Sequence, residues 1–121
     1  MSIIAKILVA LIALEHVYFL VLEMFLWEQP RTRKAFGMSV EQAGHSKVLA
    51  GNQGLYNGFL VAGLVWSLLA PAAYAKELAI FFLACVLVAG VYGGFTANKR
   101  IWLLQALPAA LALAAVLLIG F

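Results

Sequence analysis

The feature that most constrains this chain is a succession of four apolar segments, each close to the length that crosses a lipid bilayer as a helix. They cover about residues 3–27, 48–70, 78–95 and 101–121. A transmembrane helix needs about 20 predominantly apolar residues, and its backbone groups must pair within the segment. The alternating polarity of a barrel strand is found nowhere. The segments therefore predict an all-α protein.

Composition places these segments in a membrane. Charged residues make up 11% of the 121-residue chain, and its mean hydropathy is +1.05. Soluble domains carry about 25% charged residues. We therefore expect one transmembrane domain over residues 1–121, an integral membrane four-helix bundle. The helices are predicted at about 3–27, 47–70, 77–97 and 100–120.

Basic residues predict the orientation of this bundle. Six of them fall on one side, and Lys6 and Lys76 fall on the other. The six are Arg31, Arg33, Lys34, Lys47, Lys99 and Arg100. By the positive-inside rule, the long loop between helices 1 and 2 is cytoplasmic and both termini lie outside. The net charge of +3 is therefore interpreted as a sign of topology and of contact with anionic membrane lipid. It does not indicate nucleic acid as a partner.

The long loop carries its own local signals. Ser39 followed by Gln42 matches a capping box and predicts a short helical lead-in to helix 2. Between Pro30 and Gly37 we expect irregular chain. The single cysteine, Cys85, excludes an internal disulfide and a cysteine-cluster metal site, so no metal ligands are assigned.

The first apolar segment contains three ionisable residues, Glu15, His16 and Glu23, in the stretch EHVYFLVLEM. On a helix, His16 and Glu23 lie nearly in line two turns apart, with Glu15 about 80° to one side of Glu23. Ionisable groups inside a membrane are costly and usually face the bundle interior or a cavity. These three residues are the predicted catalytic groups.

The other helices supply polar groups at the same depth. Asn52, Gln53, Tyr56 and Asn57 fall within an arc of about 140° on helix 2. With Tyr92, Gln105 and Trp27, they are the predicted substrate-binding residues of a pocket in the cytoplasmic half of the bilayer. The amides and tyrosines also fit simple interhelical hydrogen bonding. Glu23 also fits a pair with Arg31 or Arg33.

Two further patterns concern packing. Gly54 and Gly58 have the small-xxx-small spacing that suits close approach of a neighbouring helix or protomer, which favours a homo-oligomer. Pro108 follows Gln105 on helix 4, and it is expected to kink the helix and leave the Leu104 carbonyl without its usual partner.

Three segments, EHVYFLVLEMFLW, PRTRKAFG and NQGLYNGFLVAG, resemble the signature segments of the domain of unknown function 1304 family. These are small four-helix membrane proteins that are widespread in bacteria, and the resemblance covers nearly the whole chain. It implies the same fold and a multi-pass location in the bacterial plasma (inner) membrane. It implies no biochemical activity.

Three functional hypotheses fit the predicted pocket. The first is an acid–base site that binds a small lipophilic or amphipathic molecule and converts it by isomerase or hydrolase chemistry, or merely binds it. Glu15 or Glu23 would exchange the proton, His16 would complement it, and Tyr56 and Tyr92 would hydrogen-bond an oxyanion. Burial of a carboxyl and an imidazole favours their neutral forms, as such chemistry requires.

The alternatives are a transporter and a cofactor protein. A membrane-embedded glutamate in a four-helix chain is similar to that of small multidrug exporters, which suggests proton-coupled transport by a homo-oligomer. The charge asymmetry and the apolar outer half argue against it. His16 could instead ligate haem, or a metal together with carboxylates. The sequence leaves the cofactor unknown.

Overall fold

The computed structural model describes residues 2–121, and within that range the chain is all-α, as predicted, with no strand. A π-helical turn over Trp102–Ala106 runs directly into the last helix. The helices are α1 (Ile3–Phe25), α2 (Pro30–Phe36), α3 (Val40–Leu69), α4 (Ala75–Thr96) and α5 (Leu107–Leu118).

The chain between Pro30 and Gly37 forms α2, so the expectation of irregular structure there is wrong. Pro30 occupies the first turn, where its missing N–H costs no helical hydrogen bond. Gly37 ends the helix in the left-handed conformation, with φ +67°, and the N–H of Met38 donates to the Arg33 carbonyl at 2.8 Å. The two residues that suggested a loop are thus the start and stop signals of a short helix.

The predicted capping box is confirmed at the start of α3. The Gln42 N–H donates to Ser39 Oγ at 3.1 Å, and the Ser39 N–H donates to Gln42 Oε1 at 2.8 Å. No separate lead-in helix follows, because α3 continues unbroken from Val40 to Leu69. The polar segment before the apolar run is therefore part of one 30-residue helix.

The four long helices contact each other in a closed order, with α1 against α3 and α5, and α4 against α3 and α5. Their shared core lies towards the N-terminus of α1 and the C-terminus of α5. It consists of small and branched apolar side chains, many of them alanines. The fully buried members include Ala5, Val9, Leu64, Ala79, Leu83, Val86, Ala109, Ala112 and Val116.

Glycines let the helices approach closely within the chain. A Cβ on Gly54 would lie 3.1 Å from the Cβ of Glu23 on α1, and one on Gly90 would lie 2.7 Å from the Ala106 backbone nitrogen. A Cβ on Gly58 would likewise meet the Leu20 side chain. The close approach predicted for Gly54 and Gly58 therefore occurs inside one chain, and these glycines no longer argue for an oligomer.

The helix before Pro108 widens into the π-helical turn. The Leu107 N–H donates to the Trp102 carbonyl, five residues back, rather than four as in an α-helix. Proline has no N–H to offer the carbonyl four residues before it. In a π-helix each carbonyl accepts from the N–H five residues further along, so the residue after Pro108 can supply the N–H that proline lacks. The sequence does not indicate this arrangement.

Two helices, α1 and α4, are long and apolar enough to cross a membrane, judged by length and composition. Only 28% of the most apolar window of each is buried inside the protein. Most residues of these windows are therefore exposed or only half-buried within the chain.

Alanine at Gly90 should destabilise the protein, whereas alanine at Gly51 should stabilise it. The added methyl at Gly90 meets the backbone of Ala106, which cannot move aside like a flexible side chain, and we expect a loss of about 1–3 kcal/mol. Gly51 has nothing within 4 Å of the added carbon and lies within α3, so Gly51→Ala should gain about 0.5–1 kcal/mol. Unfolding in a mild detergent, followed by circular dichroism, measures both; equal shifts would contradict the close packing of α4 on the π-helical turn.

Candidate functional site

A cavity of about 520 Å³ lies at the end of the molecule away from the alanine-rich core. It is bounded by the C-terminal part of α1, the end of α2, one turn of α3, the connection after α4 and the π-helical turn. Its apolar wall includes Phe19, Leu22, Phe36, Ile101 and Leu104. Its polar groups are Glu23, Gln53, Asn57, Asn98, Arg100 and Gln105, with Tyr18 at its side.

Glu23 and Asn57 form the link between α1 and α3 in this wall. Asn57 Nδ2 donates a hydrogen bond to Glu23 Oε1, and Asn57 is only 7% exposed. Gly54, one turn before Asn57, brings α3 close enough to α1 for a short amide side chain to reach the carboxylate. The pair is thus fixed by helix packing.

The alternative pairing of Glu23 with Arg31 or Arg33 does not occur. Within residues 2–121, Glu23 makes no salt bridge, and Arg33 Nε donates to the Glu28 carbonyl at 3.1 Å. The Glu28 carboxylate is instead paired with Lys47 at 3.1 Å. The interactions of Arg33 and Lys47 are therefore with Glu28 rather than with the cavity carboxylate.

Gln105 reaches the cavity from the π-helical turn. Its Nε2 donates to the Val86 carbonyl of α4 at 3.1 Å, which ties the turn to the middle of α4. Single π-helical turns are frequent at functional sites, because they rotate side chains relative to a regular helix. Gln53 lines the same cavity from α3 and is exposed at its edge.

Glu15 and His16 form a second polar group, outside the cavity. His16 is completely buried, and its Nδ1 lies 2.9 Å from the Ile12 carbonyl. Since a carbonyl only accepts, Nδ1 carries the proton. Glu15 Oε1 lies 4.0 Å from the same nitrogen. Both Glu15 Oε1 and His16 Nε2 are buried without a hydrogen-bond partner in residues 2–121.

The three predicted catalytic residues are therefore divided between two places. Phe19 lines the cavity, and its ring packs edge-on against His16 at 5.5 Å between centroids. Seven residues separate His16 from Glu23, which corresponds to about 10 Å along the helix axis. Of the three, Glu23 alone contributes a carboxylate to the cavity wall.

Trp27 acts on the cavity indirectly. Its Nε1 donates to Ser46 Oγ at 3.1 Å, and its ring packs on Phe36 at 4.9 Å between centroids. Phe36 in turn lines the cavity. Trp27 therefore holds α2 against the start of α3, and it does not line the cavity itself.

Three predicted binding residues lie elsewhere. Asn52 and Tyr56 are exposed on α3, because α1 covers a narrower strip of that helix than the predicted polar arc. Tyr92 is 70% exposed on α4, in a separate apolar groove that also contains Cys85 and Ala89. The structure does not bring these three to Glu23.

Arg100, Asn98 and Phe36 line the cavity although the sequence predicts no site role for them. Asn98 Oδ1 accepts a hydrogen bond from the Arg100 N–H at 2.8 Å, which shapes the connection after α4. In the sequence, Arg100 indicates only topology. Phe36 belongs to the segment expected to be irregular. Pro30 as a helix start and Gly37 as a helix end are the sequence signals that could have placed Phe36 on a helix.

The arrangement offers little for a metal ion. In residues 2–121, no three His, Cys, Asp or Glu side chains lie close enough together to hold one. What the cavity can do is hold a polar group at Glu23 and Asn57 with apolar atoms against its aromatic and aliphatic walls.

Replacing Asn57 by alanine should destabilise the protein by about 1–2 kcal/mol, because the Glu23 carboxylate loses its hydrogen bond between the helices. Glu23→Gln should cost less, since the new amide oxygen can still accept from Asn57. Asn52→Ala, an exposed change on the same helix, is the matched control. Unfolding in detergent measures all three, and equal effects of Asn57→Ala and Asn52→Ala would contradict a structural role for the Glu23–Asn57 pair.

Comparison with known proteins identifies relatives but no activity. The chain is 37% identical over 115 residues to the uncharacterized protein YpaA of Lactococcus lactis subsp. lactis (strain IL1403), covering 93% of this chain and 96% of that protein. No solved structure matches it. The model of the family described as protein of unknown function (DUF1304) matches residues 10–117. The chain therefore belongs to the DUF1304 family.

Proposed function

We propose that the protein is a multi-pass membrane protein whose cavity binds a small amphipathic molecule, with Glu23 and Asn57 holding its polar end. The observation that carries this proposal is the hydrogen-bonded Glu23–Asn57 pair in the wall of a cavity whose other inner surfaces are largely apolar. A pocket of this kind, with few convergent polar groups on apolar walls, is typical of small-molecule sites.

The outward faces of the helices support a membrane environment. On α1, the side chains of Ile4, Leu11 and Leu14 are 55%, 56% and 64% exposed. On α4, Phe81 and Val88 are 61% and 68% exposed. Soluble monomers rarely expose continuous apolar surfaces of this extent. In a membrane, lipid acyl chains would cover these apolar side chains, so they would not be exposed to water.

In this proposal α3 and α5 cross the membrane as well. A 30-residue helix is about 45 Å long, against about 30 Å for the hydrocarbon core, so the polar start of α3 would extend into the interface. The π-helical turn and α5 continue each other as one apolar segment over Trp102–Leu118. The proposed membrane protein therefore has four crossings, by α1, α3, α4 and α5.

The cavity end of the protein would face the cytoplasm of a bacterial plasma membrane. The end of α2 and the connection after α4 both line the cavity, so their basic residues share one end of the molecule. They include Arg31, Arg33, Lys34, Lys99 and Arg100, whereas Lys6 and Lys76 lie towards the other end. This distribution favours the cavity end inside.

Binding is better supported than conversion. The acid–base reaction expected from the sequence uses His16 or Glu15 together with Glu23 at the bound molecule. His16 and Glu15 do not line the cavity, and the His16 ring packs against Phe19, which does. Transport is less well supported, because closely packed residues such as Leu64, Leu83 and Val116 fill the opposite half of the bundle.

The proposed orientation predicts the labelling of engineered cysteines. Glu41 and Ala73 are exposed near opposite ends of α3. In intact cells, a membrane-impermeant thiol reagent should label Ala73→Cys, and it should label Glu41→Cys only after the membrane is opened. The unaltered protein, with Cys85 alone, is the control and should stay unlabelled. Labelling of both variants in intact cells would contradict a single orientation.

Filling the cavity should remove a bound molecule. Ala35 lines the cavity from α2, so Ala35→Trp places an indole in its space, whereas Ala73→Trp adds the same group to an exposed connection at the other end. Native mass spectrometry of protein released from a mild detergent should find a small amphipathic molecule on the wild type and on Ala73→Trp, but not on Ala35→Trp. A wild-type protein with nothing bound, or a molecule retained by Ala35→Trp, would count against the proposal.

A further inference from the structure

We propose that the molecule held in the cavity is a zwitterionic amphiphile, with a protonated amine at Glu23 and an anionic group, such as a phosphate, at Arg100. This inference rests on the proposed binding function and names the chemical class of the ligand. It follows from the positions of two opposite charges in one cavity that do not pair with each other.

The inner charge is the Glu23 carboxylate. Its hydrogen bond comes from the Asn57 amide, which carries no charge, and no cation lies within salt-bridge distance of it in residues 2–121. Arg33 and Lys47 are both engaged with Glu28. A half-buried carboxylate with one uncharged donor favours a cationic partner, because that single hydrogen bond compensates its desolvation only in part. The bound molecule can supply that cation as an ammonium group.

The outer charge is Arg100, at the exposed rim. Its backbone is held in place by the Asn98 side chain, and its guanidinium makes no salt bridge in the part of the chain that is described. A guanidinium presents a planar fork of donors that matches phosphate or carboxylate oxygens. Arg100 therefore fits an anionic group that enters from the aqueous end.

The negative charge of Glu23 and the positive charge of Arg100 together favour one charge type of amphiphile over the others. A purely cationic one would satisfy Glu23 but bring a second positive charge towards Arg100. A purely anionic one would satisfy Arg100 but meet the Glu23 carboxylate. A zwitterion satisfies both, so repulsion as well as attraction favours it.

The apolar part of such a molecule has a route out of the cavity. Tyr18 on α1 and Leu104 on the π-helical turn both line the cavity and are 56% and 51% exposed. They belong to helices that would face lipid. In the proposed complex, an alkyl chain extends past these exposed side chains into the bilayer while the head group contacts Glu23 and Arg100.

The test measures binding of three single-chain probes by native mass spectrometry at matched concentrations. The probes are lysophosphatidylethanolamine, which is zwitterionic, dodecylamine, which is cationic, and dodecyl phosphate, which is anionic. The wild type should bind the zwitterion about tenfold more tightly than either single-charge probe, as expected for one additional charge-assisted hydrogen bond. A two-chain phosphatidylethanolamine, run in parallel, distinguishes a bilayer lipid from a single-chain ligand; binding of either supports the inference.

Two variants assign the charges to the two residues. Arg100→Gln should lose the preference for the zwitterion over dodecylamine, and Glu23→Gln should lose the preference over dodecyl phosphate. Lys99→Gln and Glu77→Gln remove the same charges from exposed positions outside the cavity, and they should bind as the wild type does. If Glu23→Gln does not fold by circular dichroism, Arg100→Glu at the rim provides the second test and should reject the zwitterion.

The outcomes separate the inference from the function on which it rests. Dodecylamine bound as tightly as the zwitterion, with Arg100→Gln unchanged, would overturn the zwitterion while leaving a cavity that binds amphiphiles. Absence of any probe from the wild type, or equal binding by Ala35→Trp, would overturn both.

Discussion

The close contact of α1 and α3 at Gly54 determines where the candidate site lies. Because Gly54 has no side chain, α3 approaches α1 at the level of Glu23, and the amide of Asn57 reaches the carboxylate across the gap. A larger residue at that position would separate the helices and leave both polar groups without their partner. The hydrogen bond then keeps the half-buried Glu23 carboxylate in the cavity wall.

The two ends of the helix assembly differ in how closely their side chains pack. At one end, alanines and branched side chains pack closely and leave little room, which gives the four long helices a common core. At the other end lies the cavity, and its wall includes polar side chains from several of the helices. The same ring of contacts between helices therefore encloses a packed core at one end and a cavity at the other.

Two departures from regular helix geometry shape the cavity. The short helix α2, which Trp27 holds against α3, brings Phe36 over the cavity from one side. The π-helical turn before Pro108 brings Gln105 and Leu104 to it from the other. A proline lies at each feature: Pro30 begins α2, and Pro108 follows the π-helical turn.

The sequence by itself determined the helical class, the four apolar segments, the capping box at Ser39 and the polar character of the helices around Glu23, because these depend on local periodicity and on hydrogen bonds between near neighbours. Only the tertiary structure decided which polar residues meet. It joined Glu23 to Asn57, set Glu15 and His16 apart from them, left Asn52, Tyr56 and Tyr92 on the outside, and added Arg100. The sequence gives the angular position of a residue on its own helix, but not how much of that helix surface a neighbouring helix covers. The covered surface depends on how closely the helices pack, as at Gly54 and Gly90. Those contacts join residues that are far apart in the chain.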